Sequence, residues 1–160
     1  MQRREYSPVE IAAVWAVIGS LLAIAIPELS RNLRASPLGE PVRGLERIAS
    51  AAIAYANEHG TFPESAPLTP ADVPRGGRKD DPPRAWEHPT WRALQFGFDH
   101  AHAFSFAFES SEESGVPTFR AVAHGDLDGD GVLSTFEVVG VVDERGARVL
   151  PGMFVDREVE

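Results

Sequence analysis

A concentration of carboxylates lies between residues 126 and 137. The segment reads DLDGDGVLSTFE, and its acidic residues are Asp126, Asp128, Asp130 and Glu137. Calcium in proteins takes roughly six to eight oxygen ligands, and alternate residues of one tight loop can supply several of them. Gly129 and Gly131 allow the backbone to wrap closely around a small cation. The spacing therefore predicts a Ca²⁺ site in this loop.

Three positions in the second half of the loop complete the predicted ligand set. We expect the main-chain carbonyl of Val132 to face the cation, Ser134 to bind it through a water, and Glu137 to chelate it with both oxygens. The alternative is a hairpin turn rich in Asp and Gly whose carboxylates are solvated. Four carboxylates crowded without a cation would repel one another, which favours the calcium site.

The residues around this loop alternate between apolar and polar with a period of two. Phe104, Phe106 and Phe108 share one face, and three further strands are predicted: 118–123, 133–142 and 147–150. Sequential strands with short connections predict an antiparallel meander. Because the loop then joins two strands rather than the two helices of a calcium sensor, we expect calcium to stabilise the fold rather than to switch it.

An amphipathic helix is predicted before the strands. Apolar residues recur at three- and four-residue steps over 42–56, and Gly60 follows as a stop signal. Pro37 and Pro41 predict a bend or break near 36–41. Residues 61–103 are rich in proline, and we expect an irregular connection that packs onto the core through its large apolar side chains: Trp86, Trp91, Leu94 and Phe96.

An uncharged apolar run occupies residues 11–26. As a helix it would be about 24 Å long, and residues 6–10 extend it to roughly the length that spans a bilayer. The Arg3-Arg4 pair before it favours a cytoplasmic N-terminus. Glu10 is the one charge in the extended segment, and a carboxylate in hydrocarbon needs a partner. A secretory or twin-arginine signal peptide and a buried core helix are the alternatives.

The N-terminal segment resembles that of type IV pilins and pseudopilins. In that family the mature chain starts with an aromatic residue, a Glu follows four residues later, and the apolar helix contains a Gly and ends in Ile-Pro. The matching residues here are Tyr6, Glu10, Gly19 and Pro27. The segment 60–63 and the acidic loop are also similar to pilin sequences. Glu5 stands where the family's leader ends in Gly, so processing between Glu5 and Tyr6 stays open.

The resemblance implies an α+β fold of the type IV pilin kind, with a long N-terminal helix packed on a small antiparallel β-sheet. It divides the chain into a leader-like segment, a transmembrane assembly helix, its amphipathic continuation and a globular β head: 1–5, 6–27, 28–60 and 61–160. It also implies a single-pass location in the inner membrane, with the N-terminus in the cytoplasm and the head in the periplasm or in an extracellular filament.

The implied function is that of a structural subunit of a type IV pilus or of a type II secretion-like filament. The implied partners are homologous pilin subunits and the inner membrane, contacted through the helix that carries Tyr6, Glu10 and Pro27. The alternative is a monomeric, membrane-anchored periplasmic calcium-binding module, which the departure at Glu5 keeps open.

Composition argues against several other classes of protein. The 160-residue chain has a net charge of −9 and no cysteine. The acidic balance opposes nucleic-acid binding, and the absence of cysteine excludes thiol catalysis and Cys-ligated metals. The five histidines lack metal-ligand spacing, and we expect His100 and His102 to be solvated or to cap backbone groups. Because no nucleophile, base or cofactor motif occurs either, we expect no enzymatic activity.

Overall fold

The computed structural model describes residues 39–157. This part of the chain forms two helices and six strands, whose order is α1 Gly39–His59, β1 Ala66–Thr69, α2 Pro89–Ala93, β2 Phe104–Glu113, β3 Val116–Gly125, β4 Ser134–Asp143, β5 Gly146–Val149 and β6 Phe154–Asp156. The predicted segments 1–5 and 6–27, and the first part of 28–60, lie outside the described residues.

The six strands of this region form one antiparallel sheet. Its strand order is β1-β2-β3-β4-β5, and β6 pairs with the start of β4, whose other end pairs with β5. A two-residue turn at Ser114 and Gly115, both with positive φ, joins β2 to β3 as in a tight hairpin. The alternating pattern had predicted β2 to β5 as a meander, and that prediction is confirmed.

The predicted fold class is wrong. The described residues are mostly antiparallel sheet, with a helix of 21 residues that begins at Gly39 and a second helix of only 5 residues. They contain no long N-terminal helix packed on a small sheet. The sheet is larger than predicted because β1 lies in the proline-rich connection and β6 has only three residues, too few to show an alternating pattern.

The predicted location in the inner membrane is also wrong on the structural finding. Between residues 39 and 157 there is no helix that is both long enough and apolar enough to cross a membrane. The apolar run 11–26, on which the prediction depended, lies outside the described residues.

Helix α1 buries one face against the sheet. The apolar residues on this face are Leu45, Ile48, Ala49, Ala52 and Ala56, and they share one core with Phe104, Phe106 and Phe108 of β2. Each of these three phenylalanines is fully buried. The periodicity of 42–56 therefore predicted the packed face correctly, and Gly60, with φ 74°, follows the end of the helix.

The start of α1 differs from the break predicted near 36–41. Gly39, Glu40 and Pro41 form the first turn of the helix, and residues 36–38 lie outside the described part. Proline is compatible with a first turn because the amide it lacks would have no partner inside the helix.

A buried carboxylate ties the start of α1 to the sheet. Glu40 Oε1 accepts hydrogen bonds from the amides of Ala103 at 2.7 Å and Phe104 at 3.1 Å. Its other oxygen lies 3.5 Å from Nε of Arg78 in the connection. Helix, connection and β2 therefore meet at this one side chain.

The connection between β1 and β2 folds around aromatic side chains, as predicted. Trp91, Leu94 and Phe96 are buried, and Trp86 packs edge-on against both Trp91 and Phe96. Trp91 Nε1 donates to Thr69 Oγ1 at 2.9 Å, which attaches α2 to β1. The connection is thus held to the sheet at several points.

We expect Gly44→Ala to destabilise the protein although alanine is the better helix former. A Cβ at this position would lie 2.4 Å from Cε1 of Phe106, so the ring or the helix must move. Overpacking costs about 1–3 kcal/mol, whereas the gain in helix propensity is about 1 kcal/mol or less. Urea denaturation should give a lower free energy of unfolding than for wild type. The exposed control Ser50→Ala should show no loss, and a stabilised Gly44→Ala would contradict the packing described.

Candidate metal site

The acidic loop joins the two central strands of the sheet. β3 ends at Gly125 and β4 begins at Ser134, and these two residues are paired in register. The Ser134 hydroxyl is buried and donates to the Gly125 carbonyl at 3.2 Å, which closes the base of the loop. Strands therefore flank the loop on both sides, as the alternating pattern predicted.

Three of the predicted ligands converge in this loop. One carboxylate oxygen from each of Asp126, Asp128 and Asp130 lies within 4.8 Å of the other two. Two oxygens bound to one Ca²⁺ at roughly 2.3–2.6 Å can be at most about 5 Å apart, so the spacing is compatible with a shared cation. Asp126 is fully buried and the other two are exposed, which leaves the site open to solvent on one side.

Asp126 organises the loop through backbone amides. Its Oδ1 accepts from the amide of Gly129 at 2.9 Å, and its Oδ2 accepts from the amide of Gly131 at 3.2 Å. Both glycines have positive φ, 85° and 92°, a conformation that residues with a Cβ adopt only with strain. The Asp-Gly alternation is thus what allows the chain to turn around this carboxylate.

Each of the other two aspartates accepts a hydrogen bond from the backbone amide two residues further along the chain. Asp128 Oδ1 accepts from the amide of Asp130 at 3.1 Å, and Asp130 Oδ1 accepts from the amide of Val132 at 2.6 Å. Each keeps its second oxygen without a hydrogen-bond partner among residues 39–157. These oxygens are therefore available to a cation.

The connection contributes a contact that sequence reasoning missed. The Gly76 amide donates to the main-chain carbonyl of Asp126 at 2.8 Å, and Arg75 Nε lies 3.6 Å from Asp126 Oδ2. Arg75 is mostly exposed, so solvent screens its attraction for the carboxylate. Residues 75 and 126 are far apart in the sequence, and no local pattern could have indicated this pairing.

Glu137 does not lie with the three aspartates. Its Oε2 is 2.8 Å from Arg120 Nη2, and this hydrogen bond is the main cause that raises the pKa of Arg120 above its ordinary value. Residues 134–137 are extended in β4, which carries the Glu137 side chain about 10 Å along the strand from Ser134 and onto the opposite face. A helix after the loop would have turned it back, but a strand does not.

The remaining predicted site residues have separate outcomes. Tyr6, Glu10 and Pro27, and the possible processing site at Glu5 and Tyr6, lie outside the described residues. The Ser134 hydroxyl donates a hydrogen bond to the Gly125 carbonyl, and the Val132 amide donates one to Asp130 Oδ1.

His102 caps a backbone carbonyl, one of the two roles expected for it, and it is buried rather than solvated. It is fully buried, with Nδ1 2.7 Å from the Phe104 carbonyl and Nε2 2.8 Å from Asp81 Oδ2. Its backbone also exchanges two hydrogen bonds with Lys79. His102 therefore holds the connection to the start of β2.

The loop presents hard oxygen ligands of the kind that calcium prefers, and among residues 39–157 only Asp126 of the three carboxylates has a basic side chain nearby. No known protein family, characterised protein or solved structure matches the chain. The geometry of the site and the sequence pattern therefore carry the functional assignment.

The positions of Asp128 and Glu137 lead to opposite expectations in a binding experiment. Asp128→Asn removes a charged ligand and should lower the calcium affinity about tenfold or more. Glu137→Gln should leave the affinity nearly unchanged, because Glu137 is paired with Arg120. Isothermal titration of calcium into the wild type and both variants measures the difference. Loss of binding in Glu137→Gln with binding retained in Asp128→Asn would show that the ligand set is wrong.

Proposed function

We propose that this protein is a structural, non-catalytic subunit of a filament of the type IV pilus or type II secretion class, and that a bound calcium ion stabilises its β domain. The observation that supports this most is the convergence of Asp126, Asp128 and Asp130 in a loop between two strands. The proposed assembly segment carries Tyr6, Glu10 and Pro27 at the spacing of pilins.

Calcium would act on this loop as a stabiliser of the folded state. Three carboxylates held close together repel one another, and a divalent cation removes that repulsion. The cation binds the folded loop but not the unfolded chain, so it adds about 2.7 kcal/mol of stability at one hundred times its dissociation constant. Since the loop joins β3 to β4, this stabilisation acts on the centre of the sheet.

Assembly would depend on the N-terminal segment rather than on the β domain alone. In the family that this segment resembles, the Glu side chain meets the N-terminal amine of a neighbouring subunit. Here the amine would belong to Tyr6 if the chain is cut after Glu5. The proposed partners are thus further copies or homologues of this chain, and the mechanism is assembly rather than catalysis.

A monomeric calcium-binding module is the second candidate, and the observation that favours it is Glu5 in place of the leader glycine. The mass of the N-terminal peptide from the native protein separates the two candidates. A chain that starts at Tyr6 supports the filament subunit, whereas a chain that retains Met1 supports the module.

We expect Glu10→Ala to reduce incorporation into filaments sharply while calcium binding is retained, because the substitution removes the proposed partner of the amine and leaves the loop unchanged. The measurement compares the sheared-filament fraction with the cell-associated fraction for wild type and variant. Glu28→Ala, which removes a carboxylate just beyond Pro27, is the matched control and should enter filaments normally.

Normal incorporation of Glu10→Ala would exclude the proposed role of this carboxylate. Absence of any filament pool for the wild-type protein would favour the monomeric module.

A further inference from the structure

A cavity of about 270 Å³ lies beside residues 80–86, and no residue of the acidic loop lines it. Two partly exposed aromatic side chains, Trp86 and Phe98, contribute to its lining. Three carboxylates line it as well: Asp80, Asp81 and Asp99. Aromatic rings beside carboxylates are suited to an organic cation, which the ring faces and the negative charges both attract.

One carboxylate oxygen of Asp81 accepts hydrogen bonds, and the other has no hydrogen-bond partner in the described part of the chain. Its Oδ2 accepts hydrogen bonds from Trp86 Nε1 and from the His102 ring. Its Oδ1 is buried and has no hydrogen-bond partner within residues 39–157. A buried carboxylate oxygen without a donor is costly, so this atom indicates a donor that comes from outside the described chain.

The neighbouring Asp80 is also available. It is exposed and makes no ion pair or hydrogen bond to another residue of the described part. Together the two adjacent aspartates offer Asp81 Oδ1 and both oxygens of Asp80 to an incoming group with several N–H donors.

The cations that already line the cavity have other partners. His100 Nδ1 lies 2.7 Å from Asp99 Oδ1, and this hydrogen bond is the main cause that lowers the pKa of Asp99 below its ordinary value. Arg84 Nε lies 3.7 Å from Glu87, which is outside the lining. Within residues 39–157, Asp80 is therefore left without a cation, and Asp81, whose Oδ2 faces the His102 ring, is left with Oδ1 lacking a donor.

We propose that this cavity binds a guanidinium group, stacked on the exposed part of Trp86 and paired with Asp80 and Asp81. A guanidinium is planar, carries five N–H donors in a fixed fork and is more weakly hydrated than an ammonium, so it suits an aromatic wall beside two carboxylates. The same group can come from a free guanidine or from an arginine of a neighbouring copy. Arginine supplies all but one of the chain's 15 Lys and Arg residues, the exception being Lys79.

The test uses the ¹⁵N-labelled full-length chain in detergent, titrated with Nα-acetyl-arginine amide. The indole N–H resonance of Trp86 should shift saturably. The resonance of Trp91 should not, because its ring is fully buried and its indole donates to Thr69. Nα-acetyl-citrulline amide, which has a similar shape but no charge, should cause no shift. An equal shift with citrulline, or no shift with arginine, would overturn the proposal.

A pair of variants checks that the carboxylate carries the binding. Asp80→Asn should lower the affinity for Nα-acetyl-arginine amide by about threefold or more, in line with the energy of an accessible ion pair. Asp72→Asn removes an exposed carboxylate outside this cavity and should leave the affinity unchanged. Asp81 is left intact because it holds His102 and Trp86. Equal affinity in Asp80→Asn and wild type would overturn the proposal.

The source of the guanidinium is distinguished by varying the protein concentration and by adding agmatine. A Trp86 resonance that moves with protein concentration, and stops moving in Asp80→Asn, assigns the group to an arginine of a neighbouring copy. A Trp86 resonance that is independent of concentration but shifts with agmatine assigns the site to a free guanidine.

Discussion

The packing of α1 on the phenylalanine face of β2 is the constraint on which the rest of the structure depends. Phe104, Phe106 and Phe108 are all fully buried, and Phe106 lies so close to α1 that only glycine fits at position 44. The same core reaches the metal site. A Cβ at Gly125 would lie 2.5 Å from Cε1 of Phe104, so the residue before Asp126 is fixed by the core. The start of the acidic loop is thus positioned by apolar packing rather than by its own charges.

Within the loop, hydrogen bonds from backbone amides order the aspartate side chains without a cation. All three aspartates accept hydrogen bonds from amides two to five residues further along the chain, and these bonds hold the carboxylates near one another. Asp126 is fully buried, with Arg75 near its Oδ2, whereas the other two carboxylates are open to solvent. A calcium ion would therefore enter a loop that is already shaped, and its binding energy would go mainly into relieving the repulsion between charges.

Local patterns were enough to predict the parts of the fold that repeat over many residues. The period of two predicted β2 to β5, and the helical period predicted the buried face of α1. The acidic spacing predicted that four carboxylates would meet, of which the three aspartates do. Features that depend on distant residues or on very short elements escaped prediction, including β1, β6, the Arg75 contact and the His102–Asp81 pair. Glu137 illustrates the limit: the loop spacing predicted it as a ligand although a strand was predicted to follow, and the extended strand carries its side chain to Arg120 instead.

The most direct test of the calcium proposal is a crystal structure of the protein grown with calcium, with anomalous diffraction data collected at long wavelength. We expect one strong anomalous peak bonded at roughly 2.3–2.6 Å to oxygens of Asp126, Asp128 and Asp130, with Glu137 still paired with Arg120. No peak in the loop at saturating calcium, or a cation bound by Glu137 and not by the three aspartates, would contradict the proposed site.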